Sequence, residues 1–280
     1  MKVLITGAAG QLGQAMAARL RDGHDVTAWT RAEVDLTRHV EVRDAILSLA
    51  PELVINCASY NQVDLAEDDQ ATALEVNAMA VGTLARAAAA VDATLIHYGT
   101  DFVFEGTATV PYRETDTPAP HSVYAQSKLV GEWLAADAPQ YYVLRVESLF
   151  GGPHRRSSID RIADQVTAGS PAPVFHDRVV SPSFVPDVVE ATQFVIRHRP
   201  AHGVYHCVNT GHATWLDVGR EIARCLGLPE SAVTAVSVRD VPMRAARPQY
   251  AALDNSKLAA AGFSMPSWQD AIRRYLSGRA

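Results

Sequence analysis

The apolar residues of the first 150 positions form short runs separated by longer stretches with helical spacing. Buried strands are predicted at residues 3–6, 25–29, 53–56, 94–98 and 142–146. Helices are predicted between them at residues 11–21, 40–49, 71–90 and 124–136. Strands that alternate with helices build a parallel sheet covered on both faces. The pattern therefore predicts an α/β fold, a Rossmann-type doubly wound parallel sheet.

The pattern is less regular in the second half of the chain. Proline and glycine accumulate at residues 151–153 and 169–173, and helical stretches follow at 158–168, 185–197 and 215–226. We predict a dinucleotide-binding domain at residues 1–150. Residues 151–280 are predicted to form a smaller C-terminal lobe, mainly for substrate binding, that can share strands with the first sheet.

Composition excludes several classes of protein. The 280 residues carry a net charge of −6, which gives no indication of a nucleic-acid binder. No apolar run is long enough to cross a bilayer. The three cysteines are scattered without metal-ligand spacing, which favours a reduced, cytoplasmic compartment. His202 and His206 flank a predicted strand without a third ligand, so no metal site is predicted.

A glycine-rich turn joins the first predicted strand to the first predicted helix. Residues 7–13 spell Gly-x-x-Gly-x-x-Gly. Gly7 permits a tight turn, Gly10 lets the backbone approach a pyrophosphate, and Gly13 lets the helix pack close to the sheet. Amide groups at the start of the helix then hold the phosphates. A turn without a ligand is disfavoured by this position between strand and helix.

The choice between NADP and NAD depends on the end of the second predicted strand. Arg31 follows this strand and can pair with a 2′-phosphate. Glu33 and Asp35 lie just beyond and can bind the ribose hydroxyls of NAD instead. A solvated surface charge is the alternative for Arg31. We predict that NADP (as NADPH) is preferred and that NAD is also accepted.

Tyr124 and Lys128 are four residues apart on a predicted helix, which places them on one face. Carbonyl reduction needs a proton for the developing alkoxide, and a tyrosine hydroxyl can donate it. Lys128 can lower the tyrosine pKa by its charge and hold the nicotinamide ribose. Thr100, after the strand at 94–98, can bond the substrate oxygen. Each has a packing or capping role in isolation, but together they are predicted to be catalytic.

Nearly the whole chain resembles the dTDP-4-dehydrorhamnose reductase family of extended short-chain dehydrogenases. The resemblance is carried by residues 54–60 (VINCASY), 63–67 (VDLAE), 76–78 (VNA), 100–106 (TDFVFEG), 111–112 (PY), 181–183 (SPS), 205–209 (YHCVN), 247–248 (RP) and 253–258 (LDNSKL). It implies an NAD(P)H-dependent reductase of a nucleotide-linked 4-keto-6-deoxyhexose.

The resemblance also implies site residues. Thr100, Tyr124 and Lys128 match the catalytic positions. The residues expected at the cofactor are Gly7, Gly10, Gln11, Leu12, Gly13, Arg31, Asp35, Leu36, Ala58, Ser59, Tyr60, Asn77, Tyr124 and Lys128. Those expected at the substrate are Asp101, Phe102, Ser148 and Arg247, the last at the nucleotide diphosphate. A homodimer is left open.

Two segments depart from the family pattern. Residues 99–102 read Gly-Thr-Asp-Phe where the family usually has Ser-Thr-Asp-Tyr, and residues 146–148 read Val-Glu-Ser where it usually has Thr-Ser-Trp. Ser148 cannot provide an apolar wall for a deoxysugar. The proton-transfer residues are thus intact, whereas the sugar pocket is altered.

Two other functions fit the same scaffold. One is a nucleotide-sugar epimerase or dehydratase that retains NAD, although Phe102 breaks the Asp-Glu pair that a dehydratase needs. The other is a non-catalytic NAD(P)-binding regulatory subunit, because relatives of the family include one of methionine adenosyltransferase.

Overall fold

The structure, a computed structural model, describes residues 1–279. Its strands are β1 (Lys2–Thr6), β2 (Asp25–Trp29), β3 (Leu53–Asn56), β4 (Thr94–Thr100), β5 (Tyr141–Val146), β6 (Leu149–Phe150), β7 (Ala172–Phe175), β8 (Val179–Val180), β9 (Ser183–Phe184), β10 (Gly203–His206), β11 (Ala213–Thr214) and β12 (Val233–Val236). Six of them form one parallel sheet in the order β10-β5-β4-β3-β1-β2.

Helices cover both faces of this sheet. They are α1 (Gln11–Leu20), α2 (His39–Leu49), α3 (Gln70–Leu74), α4 (Ala80–Ala90), α5 (Val123–Ala135), α6 (Ser158–Thr167), α7 (Val185–His198), α8 (Trp215–Cys225), α9 (Ser256–Ala260) and α10 (Trp268–Ser277). Side chains of α1 and α7 pack in one apolar cluster against the strands, and those of α2 and α4 pack in a second. The predicted doubly wound α/β fold is confirmed.

The predicted helix at residues 71–90 is interrupted. Glu75–Met79 is a π-helical turn between α3 and α4, so the prediction of one continuous α-helix is wrong at this turn. The side chain of Asn77 accepts a hydrogen bond from the backbone N of Tyr60 at 2.8 Å and donates to its carbonyl at 3.0 Å. Such π turns are frequent at functional sites.

Residues after position 150 contribute to both halves of the molecule. Strand β10 pairs with β5 at the edge of the large sheet, and α7 packs on the same face as α1. Helices α6, α8 and α10 surround a separate apolar cluster with β7. A division of the chain at residue 150 stays a prediction. Within residues 1–279, no helix is both long and apolar enough to span a membrane.

Candidate active site

A cavity of about 1100 Å³ opens at the carboxyl ends of the parallel strands. The last residues of β1, β2, β4 and β5 line it; these are Thr6, Trp29, Thr100 and Val146. Ligands of open α/β sheets bind at this edge. The cavity also extends to residues of α6, β7 and α8 from the second half of the chain.

The glycine turn forms one wall of the cavity. Gly7 has a φ of 67°, and a Cβ there would lie 2.5 Å from the backbone N of Ala58. Gly7 and Gly10 line the cavity together with Gln11 and Leu12. Gly13 does not; a Cβ on it would lie 2.4 Å from the carbonyl oxygen of Gly7, so Gly13 permits the close approach of α1. No acidic residue occupies the first turn of α1 to oppose a bound phosphate.

The residues after β2 lie at the same cavity. Arg31, Asp35 and Leu36 all line it. The Asp35 carboxylate accepts hydrogen bonds from the backbone N and hydroxyl of Thr37, at 3.1 and 2.9 Å, and these bonds lower its pKa. Within residues 1–279, Arg31 takes part in no ion pair. Its charge therefore remains available to a phosphate group.

Ala58, Ser59 and Tyr60 line the cavity after β3, but Asn77 does not. Asn77 is buried; it accepts from the Ser59 hydroxyl at 3.1 Å and donates to Ser127 Oγ at 3.0 Å. Asn77 thus joins the loop after β3 to helix α5 and shapes the wall without reaching its surface.

Thr100, Tyr124 and Lys128 all line the cavity, and Thr100 and Tyr124 share a hydrogen bond. Helix α5 begins after Ser122, whose side chain accepts from the backbone N of Ala125 at 3.2 Å. Burial raises the pKa of Tyr124, and a hydrogen bond with Thr100 opposes this shift. Burial lowers the pKa of Lys128 to about 8. These shifts move the two pKa values apart, so burial keeps the Tyr124 hydroxyl protonated and available as a proton donor.

Lys128 lies at the end of a row of buried polar residues that we call the lysine network (Thr6, Asn56, His97 and Lys128). Asn56 Oδ1 accepts from Thr6 Oγ1 at 2.6 Å and from the backbone N of Ala58 at 3.1 Å. The amide nitrogen therefore donates to His97 Nδ1, 3.0 Å away. This assigns the imidazole proton to Nε2, which lies 3.4 Å from Lys128 Nζ. Burial holds the pKa of His97 well below its usual range, so the ring stays neutral.

A second buried group lies near Tyr124, and we call it the Asp–Glu–Arg cluster (Asp101, Glu147 and Arg178). Asp101 Oδ1 accepts from Thr100 Oγ1 at 3.0 Å, and a Glu147 oxygen accepts from the backbone N of Ser181. Asp101 Oδ2, Glu147 Oε1 and Arg178 Nε are buried without a partner among residues 1–279. Burial raises the pKa of Asp101 to about 7, and burial followed by the Asp101 charge raises that of Glu147.

The four predicted substrate residues all line the cavity. Phe102 contacts Tyr124 edge-on with ring centroids 5.5 Å apart, and Ser148 has a φ of 44°. Arg247 is already paired. Its guanidinium donates to both carboxylate oxygens of Asp64, one bond measuring 2.7 Å, and lowers the Asp64 pKa to about 2. A diphosphate would have to compete with this carboxylate.

Sequence reasoning missed Glu147 and Arg178 as site residues. A carboxylate at the end of the apolar strand β5 was the one available signal, because buried acids are rare without a partner. The departure at Gly99 is explained by packing. A Cβ there would lie 2.2 Å from Glu132 Oε1, and Glu132 forms a buried ion pair with Arg145 at 2.8 Å.

The sheet, the glycine turn and the Thr100, Tyr124 and Lys128 set define a dinucleotide-dependent oxidoreductase of the short-chain dehydrogenase type. The chain belongs to the RmlD substrate binding domain family, whose model matches residues 1–279. The predicted family resemblance is thereby confirmed.

Individual relatives agree over nearly the full chain. A probable dTDP-4,6-dihydroxy-2-methyloxan-3-one 4-ketoreductase of Streptomyces antibioticus is 35% identical over 98% of this chain and 94% of its own length. A dTDP-4-dehydrorhamnose reductase of Mycolicibacterium smegmatis is 33% identical over 97% of this chain and 84% of its own.

Two solved dTDP-4-dehydrorhamnose reductases share the fold. The Clostridium acetobutylicum structure superposes with a TM-score of 0.93 at 30% identity and covers 100% of this chain and 99% of its own. The Bacillus anthracis structure, solved in complex with NADP, gives 0.93 at 29% and covers 99% and 100%. The chain is thus an NAD(P)-dependent oxidoreductase.

Proposed function

We propose that this protein reduces the 4-keto group of a nucleotide-linked 4-keto-6-deoxyhexose with NADPH. The observation that carries the proposal is the meeting of Thr100, Tyr124 and Lys128 in the cavity that the glycine turn also lines. The relatives named as 4-keto sugar-nucleotide reductases support the substrate class.

The residues present fit a dinucleotide. Gly7 and Gly10 leave backbone room for a pyrophosphate, and the first turn of α1 carries no opposing acid. Arg31 lines the same cavity after β2 and can pair with a 2′-phosphate there, which favours NADP and leaves NAD as a second cofactor. The NADP complex of the Bacillus anthracis relative supports this preference. When bound, the cofactor supplies the hydride.

The chain supplies the proton and the orientation. Tyr124 gives its hydroxyl proton to the substrate oxygen as negative charge develops on that atom. The Thr100 hydroxyl turns from Asp101 to donate to the same oxygen and holds the carbonyl in place. Lys128 stabilises the phenolate that remains on Tyr124.

A screen of 4-keto-6-deoxy sugar nucleotides tests this proposal, with NADPH and NADH oxidation followed separately. We expect oxidation of NADPH in equal amount to the alcohol formed, and slower oxidation of NADH. Purified protein that carries NAD and consumes no added cofactor would indicate an epimerase or dehydratase instead. Cofactor binding without turnover of any keto sugar nucleotide would indicate a regulatory subunit.

We further infer a cytoplasmic location and a homodimer. The three cysteines form no disulfide within residues 1–279, which suits a reducing compartment. Trp133 on α5 is 64% exposed, and an exposed tryptophan of this kind suits a subunit contact. Sedimentation equilibrium of the wild type and Trp133→Ser tests the dimer; a wild-type monomer at micromolar concentration contradicts it.

A further inference from the structure

Arg178 is the residue of the Asp–Glu–Arg cluster with the clearest access to a ligand. It lies immediately before β8 and lines the cavity. Its guanidinium carbon is 5.6 Å from the centroid of Phe102, and Phe102 contacts the Tyr124 ring. Arg178 is therefore separated by one aromatic ring from the residue that transfers the proton.

The hydrogen-bonding capacity of Arg178 is not used by the protein. Its Nε is buried without a partner, and no ion pair within residues 1–279 includes it. Arg247, the other arginine near this part of the cavity, donates to both oxygens of Asp64. A buried guanidinium normally finds acceptors, because an unmade bond to a charged group is costly. An acceptor from a ligand would satisfy Arg178.

The surroundings of Arg178 decide what kind of acceptor fits. Asp101 lines the cavity beside it, whereas Glu147 is fully buried and does not reach the cavity surface. Burial raises the pKa of both carboxyl groups, and the Asp101 charge raises that of Glu147 further. With Glu147 protonated, the Asp101 carboxylate is left to balance the guanidinium. A neutral oxygen that accepts and donates, such as a hydroxyl, fits this site better than a second anion or a cation.

We propose that Arg178 is a specificity-determining residue that donates hydrogen bonds to a hydroxyl group of the bound sugar, with Glu147 as a positioning residue behind it. This inference rests on the proposed function. It implies that the protein selects a hexose that keeps this hydroxyl over the analogue that lacks it. The polar Ser148 beside the cluster suits such a sugar better than an apolar wall would.

Binding measurements test the inference without turnover. Isothermal titration calorimetry with NADP⁺ present would compare the affinity for a dTDP-linked 6-deoxyhexose with the affinities for its 2-deoxy and 3-deoxy analogues. We expect the wild type to bind one of these analogues about 10- to 100-fold more weakly, the range for a hydrogen bond to a charged group. In Arg178→Met the affinities for the sugar and for that deoxy analogue should differ by less than about twofold. The variant should bind the deoxy analogue as tightly as the wild type does.

Arg161→Met is the matched control, because Arg161 lines the same cavity but donates to Ser158. It should change the affinity for all three ligands by the same factor. The double variant Arg178→Met with Glu147→Gln keeps the cluster neutral; it should also lose the selectivity, which separates lost recognition from misfolding. Arg178→Lys should restore part of the selectivity.

Glu147 needs a measurement that a packing role would not affect. Glu147→Gln keeps an acceptor for Ser181 and removes one acid, so Asp101 should ionise at lower pH. The ratio of the two affinities should therefore change at a lower pH than in the wild type, and the sugar that keeps the hydroxyl should remain the tighter ligand on both sides of that pH. Glu147→Leu should lose the selectivity at every pH. An unshifted pH profile in Glu147→Gln would overturn the role of Glu147.

The two levels of the proposal fail in different ways. Equal affinity of the wild type for all three sugars overturns the role of Arg178, whether or not the protein oxidises NADPH. Selective binding without NADPH oxidation supports Arg178 and overturns the proposed reduction. Failure to bind any of the three sugars overturns both.

Discussion

The cavity that Tyr124 lines holds two buried polar groups, the lysine network and the Asp–Glu–Arg cluster, which differ in how completely they are paired. In the lysine network, hydrogen bonds of 2.6 and 3.0 Å join Thr6, Asn56 and His97, and Lys128 donates to the Tyr98 carbonyl oxygen at 2.6 Å. In the Asp–Glu–Arg cluster, each of the three side chains keeps one buried atom without a partner among the described residues. Such atoms cost about 1–3 kcal/mol each, and they persist mainly at functional sites. The lysine network is thus organised without a ligand, whereas an acceptor from a ligand would complete the Asp–Glu–Arg cluster.

Among the changes predicted here, removal of the Lys128 charge should have the largest effect. In Lys128→Met the phenolate of Tyr124 loses its cation, and kcat should fall about 10²- to 10⁴-fold. Steady-state NADPH oxidation measures this. Lys257→Met is the matched control, because Lys257 is exposed and donates only to the carbonyl of Val204; it should leave kcat unchanged. A decrease below about threefold in Lys128→Met would contradict the role of Lys128.

Asn56→Leu should disrupt the hydrogen bonds of the lysine network. The Thr6 hydroxyl and the backbone N of Ala58 lose their acceptor, and His97 loses its donor. Urea unfolding should show a loss of about 3 kcal/mol, since buried groups are left unpaired. A loss as small as that of an exposed asparagine, below about 0.5 kcal/mol, would show that the network is not fully formed.

Asp101→Asn should have the opposite effect and increase the free energy of unfolding. Because the folded-state pKa of Asp101 is raised to about 7, folding favours its protonated form, and this contribution is lost as the pH rises from about 4 to 7. An asparagine cannot ionise, so the variant does not lose stability in this way. Its free energy of unfolding should exceed that of the wild type by 1 kcal/mol or more at about pH 8, with a much smaller difference at about pH 5.

Asp64→Asn is the control for this pH effect. The pKa of Asp64 is lowered to about 2, so its stabilising contribution is present above about pH 4 and is lost only in more acidic solution. The difference between this variant and the wild type should therefore be the same at about pH 5 and about pH 8. A pH-independent difference for Asp101→Asn as well would contradict the raised pKa of Asp101.

The smallest expected change comes from Asn56→Asp. A carboxylate still accepts from Thr6 and Ala58, but it cannot donate to His97 Nδ1. The imidazole should then change tautomer, so that Nε2 accepts from Lys128 and raises the lysine pKa. The basic limb of the kcat profile should move upward by about half a unit to one unit. An unmoved limb would show that His97 does not influence Lys128.

Features that depend on local sequence are predictable from the chain, whereas features that depend on long-range contacts are not. The sheet, its glycine turn and the Tyr124 and Lys128 pair are predictable, because apolar periodicity and a four-residue spacing are local properties of the chain. The π turn at Asn77 is not, because it depends on a contact with Tyr60 on another loop.

Long-range contacts also explain the residues that were missed. Arg178 and Glu147 are far apart in the chain and meet only after the second half folds over the carboxyl ends of the strands. The pairing of Arg247 with Asp64 likewise joins residues that are 183 positions apart in the chain. No spacing pattern can predict such contacts, since tertiary packing creates them.

The most direct test of the account is the single-turnover rate of NADPH oxidation with a dTDP-linked 4-keto-6-deoxyhexose by wild type and Tyr124→Phe. The account predicts a rate at least about 100-fold lower in Tyr124→Phe, with NADPH affinity within about twofold of the wild type. A variant that oxidises NADPH within about threefold of the wild-type rate would contradict the account, because another group would then supply the proton.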